Sequence, residues 1–172
     1  MDHFNSEVLV YCVLFLCTGN YFRSRFSEIW FNHCIVLLSL QDECIACSAG
    51  LNVTPDSGNV GPISVEVLSA LRHRGIDVDS VNLPSPRQVD ENDLLIADLI
   101  VAVDAQVHLP MVRSLFPDWE SRIVFWDVKD LGDDQGSVEP VTQLQASVER
   151  LIDDLVLWKT TTGVWPSLSK PS

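Results

Sequence analysis

The stretch "VLFLCTGNYFRSRFSE", residues 13–28, runs from an apolar segment through Cys17, a Thr-Gly-Asn turn and Arg23 into a segment of helical period. Residues 8–16 form a near-continuous apolar run rich in Val, Leu and aromatic side chains, the pattern of a strand covered on both faces. Downstream, Phe26, Ile29, Trp30, His33, Cys34, Leu37 and Leu38 recur at helical spacing through residue 40. A buried strand handing over directly to a helix is the opening of a strand–helix–strand unit, so this junction decides the fold class.

The pattern continues outward from it. "CIACSA" (44–49) reads as a second strand, and "NVTPDSGNVGPI" (52–63) as an irregular loop. Pro62 is expected to open a helix with Val65, Leu68 and Leu71 on one face, stopped by Gly75. Two prolines keep "IDVDSVNLPSPRQ" (76–88) irregular, and "VDENDLLIAD" (89–98) reads as a short helix with an acidic first turn. "LIVAVD" (99–104) is a third buried strand, 107–116 a helix, and "RIVFWDV" (122–128) a fourth strand. After the loop "KDLGDDQGSVEP", a last helix over 139–158 lines up Val141, Leu144, Val148, Leu151, Ile152 and Leu155. Residues 159–172 carry turn composition and are expected to be a flexible tail. The expected fold is a single α/β domain over residues 1–158: a four-stranded parallel sheet with helices on both faces, joined by right-handed crossovers. Ligands of such sheets sit beyond the carboxyl ends of the strands. That edge carries the 17–24 loop, Ser48, Asp104 and the acidic loop after the fourth strand.

Composition narrows the partners. With 11 Lys and Arg against 24 Asp and Glu, the formal charge is -13, which disfavours duplex nucleic acid and an anionic membrane surface. The apolar run 8–17 is too short to span a bilayer and has neither a basic stretch before it nor a cleavage pattern after it, so no targeting or transmembrane segment is expected. All five cysteines lie in the first 47 residues, an odd number that suits a reducing cytoplasm. Cys44 and Cys47 form a CxxC without a second pair, so neither a zinc site nor a cofactor is expected.

A loop closing onto a helix start turns several backbone N–H groups toward one point, and the helix dipole adds positive potential. Gly19 permits a tight bend, Asn20 tolerates left-handed backbone, and Arg23 offers a planar fork for two phosphate oxygens. Cys17 at the floor of such a cradle is expected as a thiolate, because what stabilises a bound anion also stabilises sulfur's charge. The residues alone leave a second reading open, with Cys17 a small buried hydrophobe and Arg23 an ordinary solvated base.

The segment "CTGNYFRS" after a first strand resembles the signature loop of the low-molecular-weight protein tyrosine phosphatases. The resemblance extends through "SAG" (48–50), "ALRHRGIDV" (70–78), "SPRQV" (85–89) and "IADLIVAVDAQVH" (96–108) to the acidic loop, covering residues 8–158. It implies a metal-independent phosphomonoesterase in which Cys17 attacks phosphorus to form a cysteinyl-phosphate. Arg23 and the loop Thr18, Gly19, Asn20, Tyr21 and Phe22 would then hold the phosphoryl oxygens. Ser24 would hydrogen-bond the sulfur, and Asn20 and Ser48 would brace the loop. Asp130 matches the family's general acid and is chosen over Asp127, Asp133 and Asp134. A phosphotyrosine protein or a small phosphomonoester is the implied partner.

The chain departs from the family pattern at three places. Phe22 stands where members often carry a second cysteine, Leu131 replaces the proline after the acid, and "NLPSPRQ" lacks a histidine found before the arginine. The altered acid loop leaves a non-catalytic phosphate- or phosphoprotein-binding module as the alternative. An arsenate reductase is a further one, disfavoured because no cysteine follows Cys47. Trp126 is expected in the core or at a pocket rim, Asp104 as a brace, Asp133 and Asp134 in a solvated loop, and His73 and His108 at the surface without a role.

Overall fold

Odd and even residues of the first strand, β1 (Tyr11–Cys17), serve two different cores. Side chains of a strand alternate between faces, so a strand buried on both must be apolar throughout. The computed structural model describes residues 9–130 and 139–167. It places β1 inside a four-stranded parallel sheet of order β2-β1-β3-β4, with β2 at Cys44–Gly50, β3 at Leu99–Ala102 and β4 at Ile123–Phe125. Tyr11, Val13, Phe15 and Cys17 face α1 (Arg23–Leu37), α2 (Val65–His73) and α5 (Pro140–Thr162). Leu14 and Leu16 face α3 (Glu91–Ile96), α4 (Ala105–Leu115) and Trp119 of the short 3₁₀ turn after it. The single-domain α/β architecture with helices on both faces is the one expected from the sequence.

Several boundaries move for local reasons. The second helix is opened by Ser64, whose hydroxyl accepts from the Val67 N–H at 3.1 Å, and not by Pro62. Its buried stripe is accordingly Val67 and Leu71, and Val65 is exposed. Gly75 does follow its end, at φ 82. α4 starts two residues earlier than expected because the Asp104 carboxylate caps it through the Gln106 N–H. β4 is three residues long, since Arg122 belongs to the 3₁₀ turn and the chain beyond Phe125 only bridges Asp104 to Asp127. α5 runs to Thr162, past the limit expected at 158, and Trp165 stacks on Tyr11 with ring centroids 5.3 Å apart. Lys159 lies over the Trp165 ring and pairs with Glu43. The expected positions of residue 8, the 131–138 loop with Leu131, Asp133 and Asp134, and the end of the tail from 168 lie outside the described residues.

Candidate active site

The register Cys17↔Gly50 and Leu16↔Ala102 brings the carboxyl ends of β1, β2 and β3 level, and the 18–22 loop closes over that edge onto α1. The turn is made by Asn20 at φ 51, and not by Gly19, whose φ is not in the left-handed region. Asn20 holds this conformation because its fully buried amide is satisfied on three sides. Its Nδ2 donates to Ser48 Oγ (2.8 Å) and Ser24 Oγ (3.1 Å), and its Oδ1 accepts from the Arg87 N–H (3.1 Å). The glycine the loop requires is Gly50. A Cβ there would lie 2.7 Å from the Thr18 carbonyl oxygen and 3.0 Å from the Asn20 nitrogen.

Cys17 Sγ lies 3.0 Å from Ser24 Oγ. With its oxygen accepting from Asn20, Ser24 has its one hydrogen to give to a thiolate. Behind them the network continues from Ser48 Oγ, which donates to Glu28, to Arg25, whose Nη1 is 3.6 Å from Glu28. Burial raises the Glu28 pKa against the opposing pull of Ser48 and Arg25. Arg25, itself buried, donates to the Pro84 carbonyl oxygen. In place of the absent histidine before Arg87, the Arg87 backbone braces Asn20 and Arg25 reaches Glu28, although the buried Arg25 Nε has no hydrogen-bond partner among the described residues. The Arg87 side chain turns away to a bidentate pair with Asp93 (2.8 and 2.7 Å).

Arg23 points into the same edge and is nearly fully buried. Nη1 is 3.2 Å from Asp104 Oδ2 and 3.0 Å from the Val128 carbonyl oxygen, and Nη2 is 3.2 Å from Asp130 Oδ2. Burial works against the charge on Asp104, but Lys129 and Arg23 outweigh it and hold its pKa below the usual carboxylate range. Asp104 is thus the counterion that orients Arg23. Asp127, an alternative candidate for the acid, is exposed and pairs with Lys129 at 2.7 Å. Asp130, half exposed, reaches the cleft instead.

The cleft holds about 250 Å³ and is lined by Cys17, Thr18, Gly19, Tyr21, Phe22, Arg23 and Asp130, with Asn59, Ser64 and Glu66 opposite. Tyr21 is tied down by its hydroxyl, which donates to the Val60 carbonyl oxygen at 2.8 Å. Of the site residues expected from the sequence, Asn20, Ser24 and Ser48 sit behind the loop and the others line the cleft. Trp126 belongs to the core, packing on Phe15.

One expectation is reversed. His108 is completely buried, with Nε2 3.3 Å from Thr18 Oγ1 and Nδ1 accepting from the Asp104 N–H at 3.1 Å, whereas His73 is exposed as expected. Burial, then the charge of Arg23, pushes its pKa down to about 4. The signal for it was the spacing Asp104–His108, one helical turn at the start of α4. Gly50 and Glu28 were also missed, since each acts through contacts far away in sequence.

The fold recurs widely. The chain is similar to the crystal structure of YfkJ from Bacillus subtilis, with 28% identity, a TM-score of 0.73 and coverage of 87% of this chain and 97% of that one. It is also similar to a low molecular weight protein tyrosine phosphatase from T. tengcongensis, with 28% identity, a TM-score of 0.68 and coverage of 84% and 99%. The YwlE arginine phosphatase from Geobacillus stearothermophilus shares the fold at 20% identity, a TM-score of 0.67 and coverage of 88% and 97%. No match was found among curated proteins. The family model described as low molecular weight phosphotyrosine protein phosphatase matches residues 12–155, and the chain belongs to that family of phosphoric monoester hydrolases.

Proposed function

We propose that this protein is a protein tyrosine phosphatase that works through a cysteinyl-phosphate without a metal ion. The observation that carries the reading is the 3.0 Å contact of Cys17 Sγ with Ser24 Oγ at the floor of a cleft where Arg23 and Asp130 also meet. In the first step the Cys17 thiolate forms a bond to phosphorus and the aryl–oxygen to phosphorus bond breaks, with the Asp130 carboxyl giving its proton to the departing oxygen. Arg23 and the amides of residues 18–23 carry the charge on the three equatorial oxygens. In the second step water attacks phosphorus and gives its proton to Asp130, and the sulfur leaves as thiolate with the Ser24 hydroxyl donating to it. Tyr21 and Phe22 line the cleft beside Cys17, which supports an aryl leaving group.

The binding-module alternative keeps one supporting observation, the Arg23–Asp130 ion pair, which ties the acid to the phosphate-binding cation. An arsenate-reducing relay is not supported. Cys12 and Cys47 face the other side of the sheet from Cys17, Cys44 is at the far end of the paired strands, about 20 Å along, and Cys34 lies eleven residues beyond Arg23 on α1, about 16 Å along the helix. The five cysteines are all free thiols, which suits a reducing compartment, and the substrates of this reading are phosphoproteins or small phosphomonoesters. The test is turnover of an aryl phosphate in the presence of a chelator. The wild type should turn over, and Cys17→Ser or Arg23→Ala should lose nearly all activity. Full activity in Cys17→Ser would sink the mechanism, and phosphate binding without wild-type turnover would establish the binding module.

A further inference from the structure

His108 lies on α4, outside the phosphate loop, and both of its ring nitrogens are engaged. The Asp104 backbone N–H donates to Nδ1. A ring nitrogen that accepts an N–H carries no proton of its own, so the single hydrogen of the neutral imidazole is on Nε2 and is donated to Thr18 Oγ1. Neutrality at pH 7 agrees with the burial of the ring beside Arg23. A hydroxyl oxygen that accepts from His108 keeps its own hydrogen for a different acceptor. Thr18 lines the cleft next to Cys17, so an anion held there would present oxygens within reach of that hydrogen. Asp104, whose N–H sets the tautomer, also grips Arg23 through its carboxylate. One buried ring therefore joins the first residue of the loop to the counterion of its arginine.

We propose that His108 is a positioning residue of the phosphate site: as the Nε2–H tautomer it makes Thr18 Oγ1 an acceptor and so turns the Thr18 hydroxyl into a donor to the bound phosphoryl group. This rests on the phosphatase reading only for what enters the cleft. The structural role alone would be a satisfied core histidine, which leaves ligand affinity untouched once folding is intact.

Two measurements on the intact protein separate these. The ¹⁵N imidazole spectrum at pH 7 should show His108 protonated at Nε2 and bare at Nδ1. Calorimetry with inorganic phosphate should find Thr18→Val and His108→Leu each about 10-fold weaker, the loss typical of a hydrogen bond to a charged group. The double variant should be no weaker than the singles, because both remove the same donor. His108→Gln, which keeps an N–H donor at similar reach, should stay close to wild type. An Nδ1–H tautomer, unchanged affinity in Thr18→Val, or losses that multiply in the double variant would each overturn the proposal. Should His108→Leu fail to fold, the tautomer and the Thr18→Val arm still decide. Wild-type phosphate binding without turnover would defeat the phosphatase reading and leave these readouts intact.

Discussion

At the scale of single residues, Asp130 and Gly50 carry the sharpest expectations. A general acid matters most when the leaving group is poor, so Asp130→Asn should slow an unactivated phenyl phosphate by about 10²-fold while hardly affecting a nitrophenyl phosphate. Equal rates on both substrates for Asp130→Asn, with the selective loss appearing in Asp127→Asn, would move the assignment along the chain. Gly50→Ala puts a methyl 2.7 Å from the Thr18 carbonyl and 3.0 Å from the Asn20 nitrogen, both backbone atoms that cannot swing aside. It should cost about 2 kcal/mol in chemical denaturation and most of the turnover, because the loop must move to admit it. Oxidation is also decided residue by residue. Cys12 is the thiol nearest to Cys17 in sequence, but the two point to opposite faces of β1, and Cys12 Sγ sits 3.7 Å from Cys47 Sγ instead. Peroxide should therefore drive Cys17 to irreversible acids that dithiol does not rescue, and any disulfide found by peptide mapping should join Cys12 to Cys47. Complete recovery through a Cys17–Cys12 bond would contradict this arrangement.

At the scale of elements, α5 and the residues after it act as a clasp on the start of β1. Val141, Leu144, Val148, Ile152 and Leu155 form the stripe that the helical period announces. The final turn and Trp165 then fold back so that the indole stacks on Tyr11, with Lys159 above it. Burying an aromatic pair of this kind stabilises by roughly 1 kcal/mol beyond its area, so Trp165→Ala should lower the unfolding free energy by about 1–2 kcal/mol, read as a lower urea midpoint, without changing turnover. A midpoint identical to wild type would make the contact incidental. The junction between β1 and α1 behaves differently, since its stability comes from side chains of other elements. Ser48 of β2, the Arg87 backbone and His108 of α4 converge on Thr18 and Asn20, and it is these distant partners that satisfy the left-handed Asn20 and the first loop hydroxyl.

At the scale of the whole molecule, charge and pH set the behaviour. A chain with formal charge -13 surrounds the buried Arg23 of the cleft, and Glu66 stands on the cleft rim. Phosphopeptides with basic flanks should show kcat/KM about 10-fold above acidic-flanked ones at low salt, and the gap should close as salt is added. A preference that ignores ionic strength would assign the choice to contacts instead. Stability should also respond to His108. Its folded pKa is depressed to about 4 from 6.5, so between those values the unfolded chain binds more protons. The stabilisation is complete above pH 6.5 and is lost as pH falls toward 4, by on the order of 3 kcal/mol at most. Urea midpoints across that window should fall for the wild type and flatten for His108→Gln.

What the sequence determined by itself follows from local periodicity and one dense loop. Two-sided apolar runs require a sheet covered on both faces, helical stripes require cover, and "CTGNYFRS" places a thiol, an arginine and a serine within eight residues at a helix start. The fold class, the strand order of appearance and the cleft residues Cys17 and Arg23 were legible on that basis, whereas Asp130 came from the family resemblance. The tertiary structure alone decided which residue carries the left-handed turn, which glycine the loop packs against, and why a histidine with surface-like neighbours in sequence is fully buried beside Thr18. Each of these depends on atoms separated by 28 to 90 positions along the chain. Pattern along a chain reports which face of an element is apolar, whereas hydrogen-bond partners across a sheet edge are set by register, and register exists only once the strands have paired.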